Sequence, residues 1–498
     1  MNWKVIWRSL SHPDMRKRIV AVLGILLVYR ILAHLPVPIS DPQTLKQVLE
    51  NLFNSSNSPQ LLSFINVLSG GALANFSIMI AGLGPYINAQ VIMQLLTRAI
   101  PQLEAMQKEG EYGQKKLNQY TRILTLPLAI MQSIGSIYLI RQVAQSVGGV
   151  GDITAHTSIL QWVLMIAALS GGSMLLMWLG ELVTEQGLGN GISLIIAVGI
   201  VSRLPETVTS VATAYLGTND RFKIFGHAIP LDKKSLLFSA LAIIAILIVT
   251  WAVVKLNEAS RNVTVNYAKR VQGNRTYGGI TTVLPIKLLT AGVIPIIFAV
   301  AFLSIPSFVG QLLTTNPSLR LQTLGTHLAS WFQPPSYGAL AGGNLTPLIY
   351  PAVYFFLVFI FTFFYTSMVF NAKDIAENLQ KQGGFIEGVR SGQRTEHYLS
   401  KLVNRLTLFG AFSLGVLALL PIVAQMVVPV SVAISGTSIL ILVSVSLQTL
   451  RALESRALMV TYDQYAQPDF FADMESKDIA SPKKRRFSLL PLRRKAKA

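Results

Sequence analysis

Residues 68–89, LSGGALANFSIMIAGLGPYINA, decide how the rest of the chain is read. They carry no charge over a length that crosses a bilayer, for which roughly 20 apolar residues suffice. Yet Gly70, Gly71, Gly82, Gly84 and Pro85 interrupt the run, and Asn75 and Asn88 add polar groups. Glycine and proline are the strongest helix breakers, so this segment is a poor plain span. A membrane protein that keeps an uncharged but broken segment must use it for something else.

The composition puts the chain in a membrane. Half of its 498 residues are hydrophobic (51%) and only 13% are charged, against about 25% charged in soluble domains. It has no cysteine, which excludes disulfides, thiolate metal sites and thiol nucleophiles. The basic N-terminus, MNWKVIWRSLSHPDMRKRIV, leads into an apolar run with no small-residue cleavage site after it, and is read as a retained first span. Uncharged apolar runs recur near 19–35, 76–97, 121–140, 158–180, 190–215, 235–255, 285–307, 347–370, 402–420 and 431–450, which predicts ten spans. The shorter run at 61–75 leads directly into the second span and reads as re-entrant.

Cations give the orientation, because cytoplasmic loops hold the excess of Lys and Arg. With a cytoplasmic N-terminus and ten alternating spans, the N-terminal tail holds five, the loop at 98–122 five, 255–287 six, 371–406 six and the C-terminal tail eleven. That is 33 of the 42, so both ends are expected in the cytoplasm, and the net charge of +19 is a property of that face. Part of it serves anionic lipid headgroups.

What the spans lack narrows the function. Their cores hold no acidic residue, with Glu181 and Glu185 expected in the turn after the fourth span, so proton or sodium coupling of the secondary-transporter kind is disfavoured. There is no G-x-x-x-x-G-K-[ST] and no H-E-x-x-H, the six histidines are scattered, and Ser170 and Ser193 have no evident base. No catalysis and no cofactor is expected. A conduit or docking platform driven from outside fits best, with a membrane insertase lacking a through-pore as the rival. The loop at 255–287, basic with interleaved tyrosines, reads either as an ordinary positive-inside loop or as an RNA-binding one. About 30 residues is more than a connection needs, which favours a functional loop.

Eight blocks in the same order resemble the SecY family, the channel-forming subunit of the bacterial Sec protein translocon. They are LSGGALANFSIMIAGLGPYINAQVIMQLL, KEGEYGQKKLNQYTR, MWLGELVTEQGLGNGISLII, VNYAKR, AGVIPIIFA, FFYTSMVFNAKDIAENLQKQGGFIEGVRSG, RLTLFGA and GTSILILV. The resemblance implies an all-α polytopic membrane protein with ten transmembrane helices in two pseudo-symmetric halves and a re-entrant plug. The implied organisation is a cytoplasmic segment 1–18, an N-terminal half 19–215 with the plug at about 61–76, a C-terminal half 235–450 with cytoplasmic loops 255–287 and 371–406, and a basic, largely disordered tail 451–498. The implied function is a passive pore for secreted polypeptides with a lateral exit for membrane proteins.

Under this resemblance the opening segment makes sense. An idle pore wide enough for a polypeptide needs an apolar, displaceable stopper, and glycines flanking a short helix (Gly70–Gly71 and Gly82–Gly84) supply backbone freedom for it to swing. The family's plug falls on Ile65, Gly70, Gly71, Ala72, Leu73, Ala74, Asn75 and Phe76, and its constriction ring on Leu83, Ile87, Ile192, Ile196, Ile297 and Ile441. All six ring positions are branched aliphatics, which suits a gate that closes by dewetting. The lateral gate between helices two and seven falls on Asn88, Thr290 and Ile305, with Leu289 where the family commonly has asparagine. Arg390 matches the loop arginine that engages the motor or ribosome, with Lys381, Arg261, Lys269 and Arg270 in support. The implied partners are SecE-like and SecG-like small membrane subunits, the SecA motor ATPase, the ribosome, signal peptides and nascent chains, and the lipid of the cytoplasmic membrane. The tail SPKKRRFSLLPLRRKAKA is expected on anionic lipid or near ribosomal RNA.

Overall fold

The computed structural model describes residues 13–37, 77–146, 158–202, 205, 222–224, 227–229, 233–267, 270–272, 275–277, 279, 281–292, 294–314, 318–335, 346–427 and 436–466. Ten helices follow the apolar runs: α1 (Pro13–Leu32), α2 (Gly84–Ala99), α4 (Glu111–Ser146), α5 (Ile159–Glu185), α6 (Gly191–Ser202), α7 (Lys233–Glu258), α8 (Ile294–Thr314), α10 (Ile349–Val369), α12 (Gln393–Val427) and α13 (Gly436–Ala466). Three shorter helices, α3 (Pro101–Lys108), α9 (Leu319–Trp331) and α11 (Ala372–Lys381), lie between them. The protein is a ten-span helical membrane protein, and α5, α10 and α12 lie in the stretches long and apolar enough to cross a bilayer unaided.

Local chemistry sets the helix ends. Ser158 and Gln161 form a reciprocal capping box at the start of α5, with Ser158 N donating to Gln161 Oε1 at 2.9 Å and Gln161 N to Ser158 Oγ at 3.3 Å. Asn190 Oδ1 accepts from the amides of Ile192 and Ser193 and so opens α6. Proline stands in the first turn of α2 and of α3, where a missing N–H costs nothing. Within the spans, the hydroxyls of Thr97, Thr125, Ser133, Ser170 and Thr362 donate to carbonyls one turn back. Lipid offers these groups no partner, so the helix itself must.

The helices pack as two groups. In the first half α2 lies on α4, α4 on α5, α5 on α6, and α1 on α5; in the second α8 lies on α10, α10 on α12, and α7 on α13. The halves meet along two lines, α6 against α13 on one side and α8 against α2 and α4 on the other. At the first, a Cβ on Gly187 would lie 2.5 Å from the Arg456 guanidinium, and Leu453 packs with Met15, Val22, Val183 and Leu188. The last span therefore closes onto the first.

Three local expectations fail. The seventh span was expected from 285, but α8 starts at Ile294, because residues 281–287 form a strand whose Leu284 and Ile286 look like span residues in a hydropathy reading. Glu181 and Glu185 stand in the last two turns of α5 rather than beyond it. α13 continues to Ala466, so the first part of the expected tail is helix; residues 467–498 lie outside the described residues.

The sequence reading also missed strands. β1 (Phe222–Ile224) and β2 (His227–Ile229) pair, as do β4 (Arg270–Gln272) and β5 (Arg275–Tyr277). More consequential is a three-stranded antiparallel sheet ordered β6–β3–β7, from β3 (Ser260–Tyr267), β6 (Thr281–Lys287) and β7 (Gly384–Ile386). It is built from both long basic loops. β3 buries Val263 and Val265 and exposes the residues between, the period-2 pattern of a half-buried strand.

Candidate functional site

One cluster of apolar side chains fills the space between the halves. Leu83, Ile87, Ile196, Ile297 and Ile441 are buried in it and Ile192 packs against it half-buried. Leu83 and Ile87 come from the start of α2, Ile192 and Ile196 from α6, Ile297 from α8 and Ile441 from α13. Ile87 is 3% exposed and Ile297 8%, so both lie deep within this apolar cluster. Five of the six expected ring residues thus belong to one cluster drawn from both halves, and the sixth, Ile192, packs against it. Gly180 admits Ile192, whose Cγ1 would lie 3.1 Å from an added Cβ.

The expected plug residues, Ile65, Gly70, Gly71, Ala72, Leu73, Ala74, Asn75 and Phe76, lie outside the described residues. Their C-terminal root does not. Ser77 bridges to Pro36, its Oγ donates to the Leu32 carbonyl at 2.9 Å, and Ile78 N donates to Leu35 O at 3.0 Å. From α5, Ser173 Oγ donates to the Gly82 carbonyl at 3.0 Å, and Gly172 leaves room for the Ile78 carbonyl, which an added Cβ would strike. Ser77, Met79, Ile80, Ala81 and Leu83 are all buried.

The expected hinge glycines Gly82 and Gly84 lie in a packed turn at the start of α2. Gly82 has φ +57°, a left-handed turn that favours glycine. A Cβ on Gly84 would meet Gln132 Nε2 at 2.8 Å. Gly82 serves a tight turn, and Gly84 lies under the end of the flexible Gln132 side chain.

At the α2–α8 line, Asn88 is half-buried on α2 and Ile305 is 40% exposed on α8. Thr290 is not on a spanning helix. It stands in the turn ahead of α8, its hydroxyl donating to the Lys287 carbonyl at 3.2 Å, while Leu289 beside it is buried in the central cluster. Two contacts across the halves had no signal in the sequence reading. Phe308 on α8 seats over Gly135 on α4, where any Cβ would coincide with the ring. Arg98, at the end of α2, donates to the Ser367 carbonyl at the end of α10, 2.7 Å away.

On the face bearing the two long loops, the three-stranded sheet, α11 and the start of α12 share a small core: Val263, Val265, Ile286, Leu379, Ile386, Leu399 and Val403. Arg261, Lys381 and Arg390 are exposed on this body. Arg390 sits just after a tight turn. Ile386 bridges Val389, Gly388 takes φ +76° and Gly392 φ +98°, and the Arg390 carbonyl accepts from Thr395 Oγ1 at 3.0 Å. Arg270 begins β4, and Lys269 lies outside the described residues. The body joins the membrane part where Leu288 N donates to Ala259 O and where Gly410 of α12 lets the Leu288 carbonyl approach. There partial burial lowers the pKa of Lys287 below the ordinary lysine value, and the nearby Arg451 charge adds to the shift.

Among the described residues no group of three or more His, Asp or Glu side chains could hold a metal. The arrangement offers an apolar cluster shared by both halves, a line of contact between α2 and α8, and a charged body on the face of the two long loops.

Comparison with known proteins points the same way. The SecY family model matches residues 77–450. The protein translocase subunit SecY of Mycobacterium tuberculosis is 36% identical over 461 residues, 92% of this chain and 98% of that one. The Streptomyces coelicolor protein of the same name is 37% identical over 462 residues, with the same coverage. Among solved structures, a protein-conducting channel superposes with a TM-score of 0.58 at 18% identity, covering 88% of this chain and 90% of that chain.

Proposed function

Because this chain belongs to the SecY family, we propose that it is the channel-forming subunit of a protein translocase, a passive conduit for unfolded polypeptides and not an enzyme. The observation that supports this reading is the apolar cluster between the halves, in which Leu83, Ile87, Ile196, Ile297 and Ile441 are buried and against which Ile192 packs. Leu83, Ile87, Ile192, Ile196, Ile297 and Ile441 form the constriction. Apolar constrictions exclude ions by dewetting while side chains part around a passing chain.

The segment ending at Phe76 is the plug, rooted at Ser77 and displaced by the incoming polypeptide. Secreted chains cross the centre, and membrane proteins leave through the seam between α2 and α8 beside Asn88 and Ile305. The chain resides in the cytoplasmic membrane with both termini inside, since the basic sheet, α11 and the C-terminal cations then share the cytoplasmic face. Arg390, with Arg261, Lys381, Lys269 and Arg270, docks an ATP-driven motor of the SecA kind or the ribosome. A small single-span subunit of the SecE kind clamps the two halves, with a small SecG-like subunit beside it.

Reconstitution tests the reading. Vesicles containing this chain with its co-purifying small subunits should import an unfolded precursor when motor and ATP are added, and a chain lacking residues 61–76 should pass ions through planar bilayers. An insertase without a through-pore would leave the bilayer tight after that deletion.

A further inference from the structure

Between α8 and α10 stands a helix that hydropathy did not announce. After a short connection α9 (Leu319–Trp331) turns back along α8, and the two form the most extensive helix pairing among the described residues. Two glycines bring the backbones together. A Cβ on Gly310 would lie 2.9 Å from the Gly325 carbonyl oxygen, and one on Gly325 would lie 2.7 Å from the Gly310 carbonyl oxygen. Close approach through small residues is how helices pair in lipid, where burial from water supplies no drive.

α9 is amphipathic. Leu321, Leu324, Leu328 and Trp331 recur at steps of three and four, which puts them on one face, while Thr323, Thr326, His327 and Ser330 share the other. The pairing with α8 covers only the edge of the apolar face: Leu324 is 55% exposed, and Leu321 and Trp331 are each 38% exposed. The direction of that open stripe follows from the helix repeat. It is turned from Gly325 by about 80°, and the exposed Phe302, Ile305 and Val309 of α8 are turned from Gly310 by about 100° in the same sense. In an antiparallel pair, equal senses face the same side. The stripe on α9 therefore continues the face that α8 shows to lipid.

We propose that α9 is seated in the outer leaflet of the bilayer, with its apolar stripe against acyl chains and Trp331 at the hydrocarbon edge. The depth rests on the channel reading above, which puts Ile297 at the bilayer middle. At 1.5 Å per residue Gly310 then lies about 20 Å from the middle, beyond the roughly 15 Å of half a hydrocarbon core. The apolar part of α8 ends at that same residue. α9 runs back inward from there, so Trp331 lies about 9 Å deeper than Gly325, at the boundary where tryptophan is favoured. Its ring lies against His327, 5.7 Å between centroids, which remains in the headgroup layer. Arg320 is the single Asp, Glu, Lys or Arg of α9. The seat is therefore held by apolar burial, and anionic headgroups are not required for it.

The cysteine-free chain allows single thiols to be placed for spin labels. Leu324→Cys, Leu328→Cys and Trp331→Cys probe the stripe, and Thr323→Cys, Thr326→Cys and Ser330→Cys the opposite face, each in the full complex. The vesicles are phosphatidylcholine, alone or with phosphatidylglycerol. Molecular oxygen concentrates in lipid and a nickel chelate stays in water, so the ratio of oxygen to nickel accessibility should be severalfold higher on the stripe, rise from position 324 to 331, and be the same in both lipids. Nickel reaching the stripe as freely as the opposite face would overturn the proposal. So would a stripe shielded from both reagents, which would mean that protein covers it, or a pattern that appears only with phosphatidylglycerol. Trp331→Phe gives a second reading on an otherwise native chain: lipid brominated near the top of its acyl chains should quench less tryptophan emission than in wild type, and an equal loss would place Trp331 away from lipid. A lipid-seated α9 in phosphatidylglycerol vesicles that import no precursor would instead overturn the channel reading and leave α9 in the membrane.

Discussion

Replacing Ile87 and Ile297 by asparagine is the sharpest probe of the centre. In the closed protein both side chains are almost fully buried in the same apolar cluster. Each substitution forfeits about 2 kcal/mol of apolar burial and asks a side-chain amide to stay unpaired among hydrocarbons, at roughly 1–3 kcal/mol more. A hydrated centre removes the second penalty, because water satisfies the amide. Taking about 2 kcal/mol per site as the difference between dry and wet centres, the pair shifts that balance by about 4 kcal/mol, on the order of a thousandfold. Resting ion conductance of purified complex in planar bilayers should rise accordingly, and each single variant should show a smaller increase. Ile195→Asn is the control. Ile195 is buried in the same cluster but is not a ring residue, so the variant should lower protein accumulation without a comparable leak. Equal leakage from Ile195→Asn and the ring variants, or no leak from the ring pair at normal levels, would refute the assignment of these residues to the constriction.

Arg390→Glu should abolish motor-driven export and motor ATPase stimulation while leaving protein levels normal, because the side chain is exposed and exposed substitutions shift stability by about 0.5 kcal/mol or less; wild-type export rates would reject the docking role. Asn88→Cys with Ile305→Cys introduces the only thiol pair into a cysteine-free chain. Oxidation should block membrane-protein insertion and signal-dependent export together, with reductant restoring both, and efficient crosslinking with undiminished insertion would show that chains leave elsewhere. Gly172→Ala drives a methyl into the Ile78 carbonyl, an overpacking of about 1–3 kcal/mol. It should loosen the root of the plug and raise resting conductance, and a tight bilayer would mean that the root tolerates displacement without unseating the plug.

The sequence made the spans legible because lipid demands long uncharged runs. Within it, continuous blocks around Leu83, Ile192, Ile297 and Ile441 carry the family's ring positions onto this chain. Its errors share a cause. Strand β6 carries Leu284 and Ile286 immediately before α8, and hydropathy alone merges the two. Thr290 was read as part of the gate helix for the same reason. Gly82 and Gly84 were read as freedom where they provide fit, because a sequence shows what glycine permits and not what lies 3 Å away. Phe308 on Gly135 and Arg98 on Ser367 join residues far apart in the chain, with no local pattern to expose them. The alternation of Val263 and Val265 in VNYAKR's approach, SRNVTVNY, was a readable strand signal, obscured by the attention its charges drew.

The sheet β6–β3–β7 gives the platform a mechanical character. A backbone ladder resists shear, and this one continues through the Ala259–Leu288 hydrogen bond to the turn from which α8 rises. A displacement at the Arg390 turn is therefore passed through a continuous backbone ladder to the turn from which α8 rises.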